Sequence, residues 1–436
     1  MTGHSPGDLI AEYRRTAAGT PDLADLRRAI AAYPPLTAVN ATYLAQPLFV
    51  PAAEITTFAA DLRAVVDLAV SLPERVFDGD AVRYCAALGV DERSAKLLTR
   101  RGWREPPRYG RADVYHDGHG FRLLEIGLNS AVGSTTMAAH LPRALLAVPE
   151  FAEFACRHDL GFVDTADRLA TAVRTAAAEI GVRDPVVALV EAPGGMRDFA
   201  VAWGLLRDDF HRAGLVCHVA EIGDLSFAGG RLRARGAPVD VVFRCFTVDE
   251  IVREPDGEAL FEPIRTAVDD GVAVHWTPLD SHLYGNKACL ALLSTPARRN
   301  YLSPEEIAVV DRVLPETRRL AAASVPAYAA DGTELMLKPN ASYRGIGAVA
   351  GWAVTPDEWA RALAAGAAAG CVVQRRVRPR IETVVDPAGT KTGWHALWGV
   401  FYTPDGYAGC TAKAVPAGVP GVVTRGARAA VFHHPA

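Results

Sequence analysis

Apolar residues recur three and four positions apart through the first quarter of the chain, which predicts a helical region from residue 6 to about residue 103. The longest predicted helix runs from Ala53 to Val76, and a shorter one contains Ser94–Leu98. This region shows no grouping of catalytic or metal-binding residue types. We therefore predict that it is a structural scaffold.

The pattern changes at Tyr109, beyond which apolar and polar residues alternate. Two strands are predicted over 110–115 and 121–126, joined by a tight turn. The turn contains His116 and His119, and we predict that both are solvated rather than catalytic.

Alternation places Arg111 and Asp113 on one face of the first strand. On the second strand Glu125, Gly127 and Asn129 share a face if the strand continues that far. Two carboxylates and an amide are hard oxygen ligands that suit Mg²⁺. The other interpretation is an exposed hairpin in which Arg111 pairs with Asp113.

Continuous apolar runs in the middle of the chain predict an α/β segment with parallel strands. The predicted helices cover 134–148, 164–181 and 199–213, and the strands cover 186–191, 215–219 and 239–245. Gly194-Gly195 follows the first of these strands, but the G-x-G-x-x-G spacing is missing and no acidic residue is placed for a ribose. This disfavours an NAD-dependent oxidoreductase.

Two lysines stand at positions that suit an anion. Lys287 lies in the first turn of a helix predicted over 283–293, where the positive end of the helix dipole disfavours a cation unless an anion is bound. Lys338 ends an apolar strand and is followed by a loop with Gly345 and Gly347, whose backbone N–H groups can approach a ligand closely. An ammonium with such donors suits a polyphosphate. An ordinary surface hairpin is the other interpretation of this loop.

In the last third of the chain, sequence signals for the start of a helix alternate with predicted strands. Ser303–Glu306 and Thr355–Glu358 both fit a capping box with proline at the first helical position. A strand is predicted over 371–377, and antiparallel strands are predicted from Trp394 to Phe432. His433-His434 is interpreted as a tail.

Composition limits the classes of protein. The chain has 436 residues, half of them hydrophobic, which supports two or three domains with cores. A net charge of −4 predicts no general attraction to nucleic acid or to an anionic membrane. No apolar run approaches the roughly 20 residues of a membrane span, and no signal peptide is evident. The seven cysteines are scattered without metal-site spacing. We expect a cytoplasmic protein.

The order of the motifs resembles that of the carboxylate–amine ligases similar to glutathionylspermidine synthetase, a circularly permuted branch of the ATP-grasp superfamily. The motifs are R-x-D at 111–113, Asn-Lys at 286–287, Lys-Pro closed by glycines at 338–347, Val-Val-Gln at 372–374 and Ala-Gly-x-x-x-Lys at 408–413. The resemblance covers roughly residues 105–436, and the helical N-terminus lies outside it.

The resemblance implies a mixed α/β (α+β), ATP-grasp-like fold with a central pre-ATP-grasp-like α/β segment and a C-terminal antiparallel sheet. With the patterns above, it predicts a helical N-terminal region over 1–104, a metal and substrate hairpin with helices over 105–182, an α/β subdomain over 183–280 and a nucleotide-binding region over 281–436.

The resemblance also implies roles for single residues. The metal ligands on ATP would be Asp113, Glu125 and Asn129, and the ATP phosphates would be held by Lys287 and Lys338. The lid loop would contain Ser342, Tyr343, Arg344, Gly345 and Gly347, and the adenine-side hinge would contain Gln374 and Val377. The residue near the transferring phosphoryl group would be Lys413. Arg111 could hold either a phosphate or the substrate carboxylate.

The implied activity is an ATP- and Mg²⁺-dependent joining of a small-molecule carboxylate, such as an amino acid or small peptide, to an amine through an acyl phosphate. Two departures leave an alternative open. The family pattern is Glu-x-Asn, whereas Asn129 stands four residues after Glu125, and the family arginine is replaced by Lys413, which keeps charge but loses the bidentate fork. A degenerate ATP-grasp protein that binds nucleotide or a partner without turnover would fit these changes, but the retained two acids and two lysines argue against it.

Overall fold

The computed structural model describes residues 9, 12, 23–99, 109–128, 132–342, 345–385, 390–419 and 426–435. The N-terminal elements are α1 (Leu23–Ala32), α2 (Pro34–Thr37), β1 (Leu48–Pro51), α3 (Ala52–Phe77), α4 (Ala81–Leu88) and α5 (Glu92–Thr99). The prediction of a wholly helical region is wrong at β1, because a short apolar run is ambiguous between helix and strand and its pairing partner lies at the other end of the chain.

The predicted hairpin is present and is followed by helices. These elements are β2 (Gly110–His116), β3 (Phe121–Gly127), α6 (Met137–Leu146), α7 (Pro149–Arg157) and α8 (Thr165–Ala178). His116 is buried rather than solvated, so that prediction is wrong. Its Nε2 lies 2.5 Å from Oε1 of Glu54 in the first turn of α3, and its ring packs edge-on against Phe121. His119 is exposed, as predicted.

A parallel sheet forms the middle of the chain. Its region contains β4 (Val186–Glu191), α9 (Gly195–Arg212), β5 (Val216–Glu221), β6 (Leu225–Ala228), β7 (Arg231–Ala234), β8 (Ala237–Pro238), β9 (Val241–Arg244), α10 (Val248–Arg253), α11 (Gly257–Asp269) and β10 (Val274–Trp276). The strand order β10–β9–β4–β5 is parallel throughout, which confirms the predicted β-α-β unit. Alternate residues of β4 enter two different cores, as expected for a sheet covered on both faces.

A small antiparallel sheet follows, with the order β11–β14–β12–β13. Its region contains α12 (Ser281–Tyr284), α13 (Lys287–Ser294), α14 (Pro304–Val313), β11 (Thr317–Arg319), α15 (Val325–Ala330), β12 (Leu335–Lys338), β13 (Val349–Ala350), α16 (Pro356–Ala368) and β14 (Val372–Arg375). Both predicted capping boxes start helices. The helix predicted over 283–293 is two helices, because Asn286 has an extended backbone and caps the second one.

The remaining strands build the large sheet, whose order is β18–β17–β16–β2–β3, with β15 also pairing with β16. They are β15 (Ile381–Val385), β16 (Lys391–Thr403), β17 (Gly406–Pro416), β18 (Ala427–Ala429) and β19 (Val431–His434). β19 pairs in parallel with β1, so the prediction of antiparallel strands fails for it. His434 is only 3% exposed, and the interpretation of His433-His434 as a tail is wrong.

The two antiparallel sheets turn polar faces toward each other. In the large sheet Val114 and Val400 enter the core beneath α3, while the alternate residues Arg111 and Asp113 lie on the opposite face. In the small sheet the apolar residues pack on α16, which leaves Lys338 on the other face. In the part of the chain that the structure describes, no helix has the length and apolar character of a membrane span.

Trp359 is the largest side chain in the core between the small sheet and α16, and its indole N–H donates to the carbonyl of Tyr328 at 3.0 Å. We expect Trp359→Ala to lower the free energy of unfolding by about 3–5 kcal/mol, because a large cavity replaces a buried ring. Urea denaturation followed by circular dichroism measures the change. The partly exposed Trp394 offers a control, and an equal loss in Trp394→Ala would contradict the prediction.

Candidate active site

Lys338 ends β12 on the face of the small sheet that is turned toward β3. Its side chain is buried, and Nζ donates hydrogen bonds to the carbonyl of Leu124 at 3.0 Å and to Oε1 of Gln374 at 2.7 Å. Leu335 and Leu337 alternate with it and pack on the opposite face. The structure therefore has this lysine in the interior, and its binding of phosphate stays a prediction.

The carbonyl of Leu124 can accept a hydrogen bond from Lys338 because β3 contains a β-bulge. Asp113 pairs with Glu125 and Val114 pairs with Leu123, so Leu124 is an extra residue in the ladder. The bulge leaves the Leu124 carbonyl to Lys338 and keeps Glu125 on the same face as its partner Asp113.

Lys287 reaches the same place from the start of α13. The side chain of Asn286 caps this helix by accepting a hydrogen bond from the amide of Ala288 at 2.9 Å. Nζ of Lys287 lies 3.2 Å from Oε2 of Glu125 and donates to the carbonyl of Ser342 at 3.3 Å. The unfavourable position of a lysine at a helix N-terminus is thus offset by a protein carboxylate.

Glu125 is the counter-charge of both lysines. Burial raises its pKa, but Lys287 and Lys338 lower it more strongly, and the net shift is downward. Burial lowers the pKa of Lys338 to about 8 against the opposing effect of Glu125, and the positive charge of Lys287 adds to the lowering. One carboxylate does not fully compensate two buried ammonium groups, so the site can accept further negative charge.

A second ion pair lies beside the first. Nε of Arg111 donates to Oδ1 of Asp113 at 2.6 Å, Nη2 donates to Oδ2 at 3.0 Å, and Nη1 donates to the carbonyl of Gly133 at 2.5 Å. Gly399 lies opposite Asp113 on β16, and a Cβ there would come within 2.8 Å of Arg111 Cδ and 3.0 Å of Thr411 Cγ2. The absence of a side chain at Gly399 allows Arg111 and Thr411 to lie over the strand.

Lys413 is on the same face of the large sheet. Thr411 pairs with Gly399, which pairs with Asp113, and side chains in such a row point to one face. Lys413 is two residues beyond Thr411 and opposite Arg428, so it shares that face. Strands lie about 4.8 Å apart, which puts β17 about 10 Å from β2. Its role near a phosphoryl group stays a prediction.

The loop after Lys338 has the glycines where the backbone requires them. Gly345 and Gly347 have φ angles of 71° and 74°, a region that disfavours residues with a Cβ. Ile346 between them is 70% exposed, so the tip of the loop extends into solvent. Two predicted lid residues lie outside the described part of the chain: Tyr343 and Arg344.

Gln374 supports Lys338 and does not project into open space. Its Oε1 accepts from Lys338, and its Nε2 donates to Oγ1 of Thr317 at 3.0 Å. The side chain is 2% exposed, and both of its polar atoms have protein partners. The structure therefore makes Gln374 a positioning residue for the lysine, and direct contact of its side chain with a nucleotide stays a prediction.

The predicted hinge strand is shorter than expected. β14 ends at Arg375 because its partner β12 begins at Leu335, opposite that residue. Val377 lies beyond the strand and lines a cavity of about 590 Å³ whose other walls are mostly charged and include Arg318 and Arg376. This volume lies within the range of small-molecule sites.

The predicted metal ligands are brought together in part. Asp113 and Glu125 are direct cross-strand partners, whereas β3 ends at Gly127 and Asn129 lies outside the described residues. Among the described residues, no three His, Cys, Asp or Glu side chains are grouped to hold a metal ion. Mg²⁺ often takes one or two carboxylates and completes its shell with phosphate and water, and the observed pair fits that requirement.

The N-terminal helices position both lysines, a role that the sequence did not reveal. The carbonyl of Leu88, at the end of α4, accepts hydrogen bonds from Nδ2 of Asn340 at 3.1 Å and Nδ2 of Asn286 at 3.4 Å. The carbonyl of Asn340 in turn accepts from the amide of Lys287 at 3.0 Å. A Leu-Gly pair after an amphipathic run signals a helix end, but no local signal identifies the partners of its carbonyl.

Comparison with known proteins identifies a solved structure with a similar fold. No protein-family model matches the chain, and no curated protein matches it. A glutathione synthetase-like effector from Globodera pallida, solved without ligand, matches with a TM-score of 0.59 and 13% identity over 94% of this chain and 96% of that one. The two chains share a fold. The predicted ATP-grasp-like α/β architecture is confirmed, and the coverage includes most of the helical region that the resemblance left out.

Two other solved structures are less similar. A gamma-glutamylcysteine synthetase-like protein from Methylobacillus flagellatus KT matches with a TM-score of 0.38 and 13% identity over 83% of this chain and 85% of that one. A D-alanyl-alanine synthetase A from Vibrio cholerae matches with a TM-score of 0.26 and 13% identity over 50% of this chain and 68% of that one. These similarities are too low to support a structural argument.

We expect Glu125→Gln to lower the free energy of unfolding at pH 7 by about 1–3 kcal/mol, because two buried ammonium groups lose their counter-charge. Burial keeps the pKa of folded Lys338 near 8 and below that of the unfolded lysine, so raising the pH from about 8 to 10.5 favours folding. The increase in the free energy of unfolding with pH should be larger in Glu125→Gln than in the parent. The difference in stability between the two proteins should therefore shrink at high pH. Urea titrations at several pH values measure the free energy of unfolding of both proteins.

The control is Glu258→Gln, which removes an exposed partner of Lys96 and should change stability by less than about 0.5 kcal/mol. A Glu125→Gln protein as stable as this control at pH 7 would contradict the charge balance described above.

Proposed function

We propose that the protein is an ADP-forming ligase that joins a carboxylate to an amine with ATP as co-substrate and Mg²⁺ as its metal. The observation that carries this proposal is the convergence of buried Lys287 and Lys338 on Glu125, beside Asp113. Phosphate oxygens complement the lysines, and a divalent cation complements the carboxylates. The fold shared with a glutathione synthetase-like effector supports the same reading.

Lys338 and Lys287 would hold the phosphates of ATP. Hydrogen bonds to Gln374 and to the bulged backbone of β3 hold the side chain of Lys338 in one orientation. An anion would therefore bind to a cation that needs little reorganisation. The loop over 342–347 begins beside both lysines and would cover the phosphates. The base would lie toward Val377, which borders the cavity at the end of β14.

Asp113 and Glu125 are the residues that would hold the metal, with Asn129 as a candidate third ligand. A divalent cation held there would reduce the negative charge that an attacking carboxylate meets. The charge of the metal ion would also weaken the ion pair between Asp113 and Arg111. Arg111 could then hold the substrate carboxylate on the same face of the sheet.

The chemistry needs positioned charges rather than a nucleophilic side chain. An oxygen of the substrate carboxylate attacks the γ-phosphorus and ADP leaves, which gives an acyl phosphate. The amine then attacks the acyl carbon, phosphate leaves and the nitrogen loses a proton, which gives the amide. Lys413 and Arg111 would stabilise the charge that develops on the phosphoryl oxygens, and such preorganised cations act mainly on the transition state.

A screen of amino acids and small peptides against a panel of amines tests the proposal. We expect ADP and phosphate in equal amounts, formed only when acid, amine, ATP and Mg²⁺ are all present, together with an amide product of the expected mass. AMP and pyrophosphate as products would point to adenylation and would contradict the acyl-phosphate route. Tight ATP binding without turnover over the whole panel would favour a nucleotide-binding protein.

Replacement of Lys338 by Met should raise the KM for ATP by at least 10-fold, because a buried cation that faces phosphate is lost. The parent should show a KM for ATP that rises above pH 8, up to 10-fold per pH unit, since burial lowers the pKa of Lys338 to about 8 and only its protonated form binds phosphate. Lys338→Met should lose that pH dependence. Lys96→Met, which changes an exposed lysine, is the control. A KM for ATP that stays flat to pH 9.5 in the parent would count against this role.

A further inference from the structure

The side-chain nitrogen of Lys338 has two fixed hydrogen-bond acceptors and a third bonding direction that neither of them uses. Nζ donates to the carbonyl of Leu124 at 3.0 Å and to Oε1 of Gln374 at 2.7 Å. An ammonium has three N–H groups, whereas a neutral amine has two N–H groups and a lone pair. Loss of one proton therefore keeps both hydrogen bonds and leaves the lone pair in the third direction, where it can attack an electrophile.

Burial and the neighbouring charges determine how easily Lys338 becomes a neutral amine. Burial lowers the pKa of Lys338 to about 8, against the opposing effect of Glu125 on β3. The positive charge of Lys287 on α13 adds to the lowering, and Asp113 on β2 opposes it. A desolvated lysine beside a second cation is an arrangement by which proteins make an amine nucleophilic at neutral pH.

Lysine is rare in this chain, and most of it belongs to the candidate site. The sequence has five lysines among 46 lysine and arginine residues. Lys287, Lys338 and Lys413 belong to the candidate site, whereas Lys96 and Lys391 are exposed elsewhere. Arginine also binds phosphate, but it stays protonated in proteins, so only a lysine can supply a neutral nitrogen. The residue type at position 338 therefore permits a reaction in addition to anion binding.

The charges beside Lys338 indicate which electrophile would be held there. Nζ of Lys287 lies 3.2 Å from Oε2 of Glu125, and this one carboxylate is shared by two ammonium groups. The side chain of Glu125 is 31% exposed, so the cluster is open to solvent at that residue. Phosphoryl oxygens suit the remaining positive charge. An acyl phosphate has both necessary parts, a phosphoryl group that binds to Lys287 and a carbonyl carbon that Lys338 can attack.

We propose that Lys338 is a modification site that reacts with acyl phosphates, held by their phosphoryl group at Lys287, to form an amide on its own side chain. Nζ attacks the carbonyl carbon, the bond from that carbon to the phosphate oxygen breaks, and the proton lost from nitrogen leaves with inorganic phosphate. No oxidant or further reactant is needed. Free acyl phosphates are sufficient for this step, whereas acylation by an acyl phosphate formed in the site itself rests on the proposed function.

Acylation of Lys338 would inactivate the site. The amide carries no charge and has one N–H group, so the modified side chain keeps at most one of its two hydrogen bonds and loses the cation that faces phosphate. When acid and ATP are present without the amine, the acyl phosphate would react with Lys338 instead. The amine substrate would therefore protect the enzyme from self-acylation.

Treatment of the whole chain with acetyl phosphate, without nucleotide, tests the proposal. Mass spectrometry of proteolytic peptides follows acetylation of each of the five lysines from about pH 7 to about pH 10. At pH 8 about half of Lys338 is neutral, against under about 1% of an exposed lysine with a pKa near 10.4. A less basic amine is also a weaker nucleophile, so the difference in rate is smaller than the difference in neutral fraction.

We expect Lys338 to be acetylated on the order of 10-fold faster at pH 8 than Lys96 and Lys391, which are the internal controls. The rate at Lys338 should stop rising above about pH 9, because the side chain is then almost fully neutral. The rates at the two exposed lysines should continue to rise to about pH 10.

Matched reagents separate the role of the amine from that of the phosphoryl group. p-Nitrophenyl acetate delivers the same acetyl group without phosphate, so its preference for Lys338 should be several-fold smaller. Inorganic phosphate should slow acetylation of Lys338 by acetyl phosphate and leave the exposed lysines unaffected. Lys287→Gln should reduce the preference for acetyl phosphate, and Lys287→Arg, which keeps the charge, should retain most of it. The unfolding midpoint of each variant checks that it is folded.

The proposal is overturned if Lys338 reacts no faster than Lys96 and Lys391 at pH 8, or if inorganic phosphate leaves its rate unchanged. A failure to find ADP release with any acid and amine would count against the ligase activity but not against this modification, which needs neither nucleotide nor turnover. An active ligase whose Lys338 is not selectively acetylated would keep the proposed function and contradict this inference.

Discussion

Two buried ammonium groups, Lys287 and Lys338, face a single carboxylate at Glu125, and the arrangement of the site depends on this charge imbalance. The three residues come from three distant elements, α13, β12 and β3, so their attraction also joins the small sheet to the large one. The carbonyl of Leu124 strengthens the connection by accepting from Lys338. The arrangement leaves positive charge available, which is the property that a polyphosphate site requires.

The cost of holding these charges is met by a rigid surrounding structure. Helix α4 contributes the carbonyl of Leu88, which fixes Asn286 and Asn340 and through them both lysine-bearing segments. The pairing of β1 with β19 connects the helical region to the C-terminal end of the chain. The N-terminal helices are therefore part of the architecture that positions the site, in agreement with a structural match that covers 94% of the chain.

The large sheet arranges its charges in rows across neighbouring strands. Glu125 and Asp113 occupy one end of the polar face, Gly399 leaves room in the middle, and Lys413 and Arg428 occupy the other end. Because adjacent strands are about 4.8 Å apart, such rows set distances between ligand groups with little freedom. A sheet face thus provides a defined spacing between the two carboxylates at one end and the two cations at the other.

The amino-acid sequence by itself determined the features that depend on neighbours within a few residues. The β2–β3 hairpin, the capping boxes at Ser303 and Thr355, and the glycines at 345 and 347 all follow from local sterics and from side-chain periods of about 2 and 3.6 residues. These patterns also indicated Lys338 as a cation at a position that suits an anion and, through their order, an ATP-grasp-like fold.

Only the tertiary structure decided the bulge at Leu124, the burial of His116 and His434, and the position of Arg428 beside Lys413. Each depends on which distant segments pair, and that choice is made by the free energy of burying whole surfaces rather than by any local run of residues.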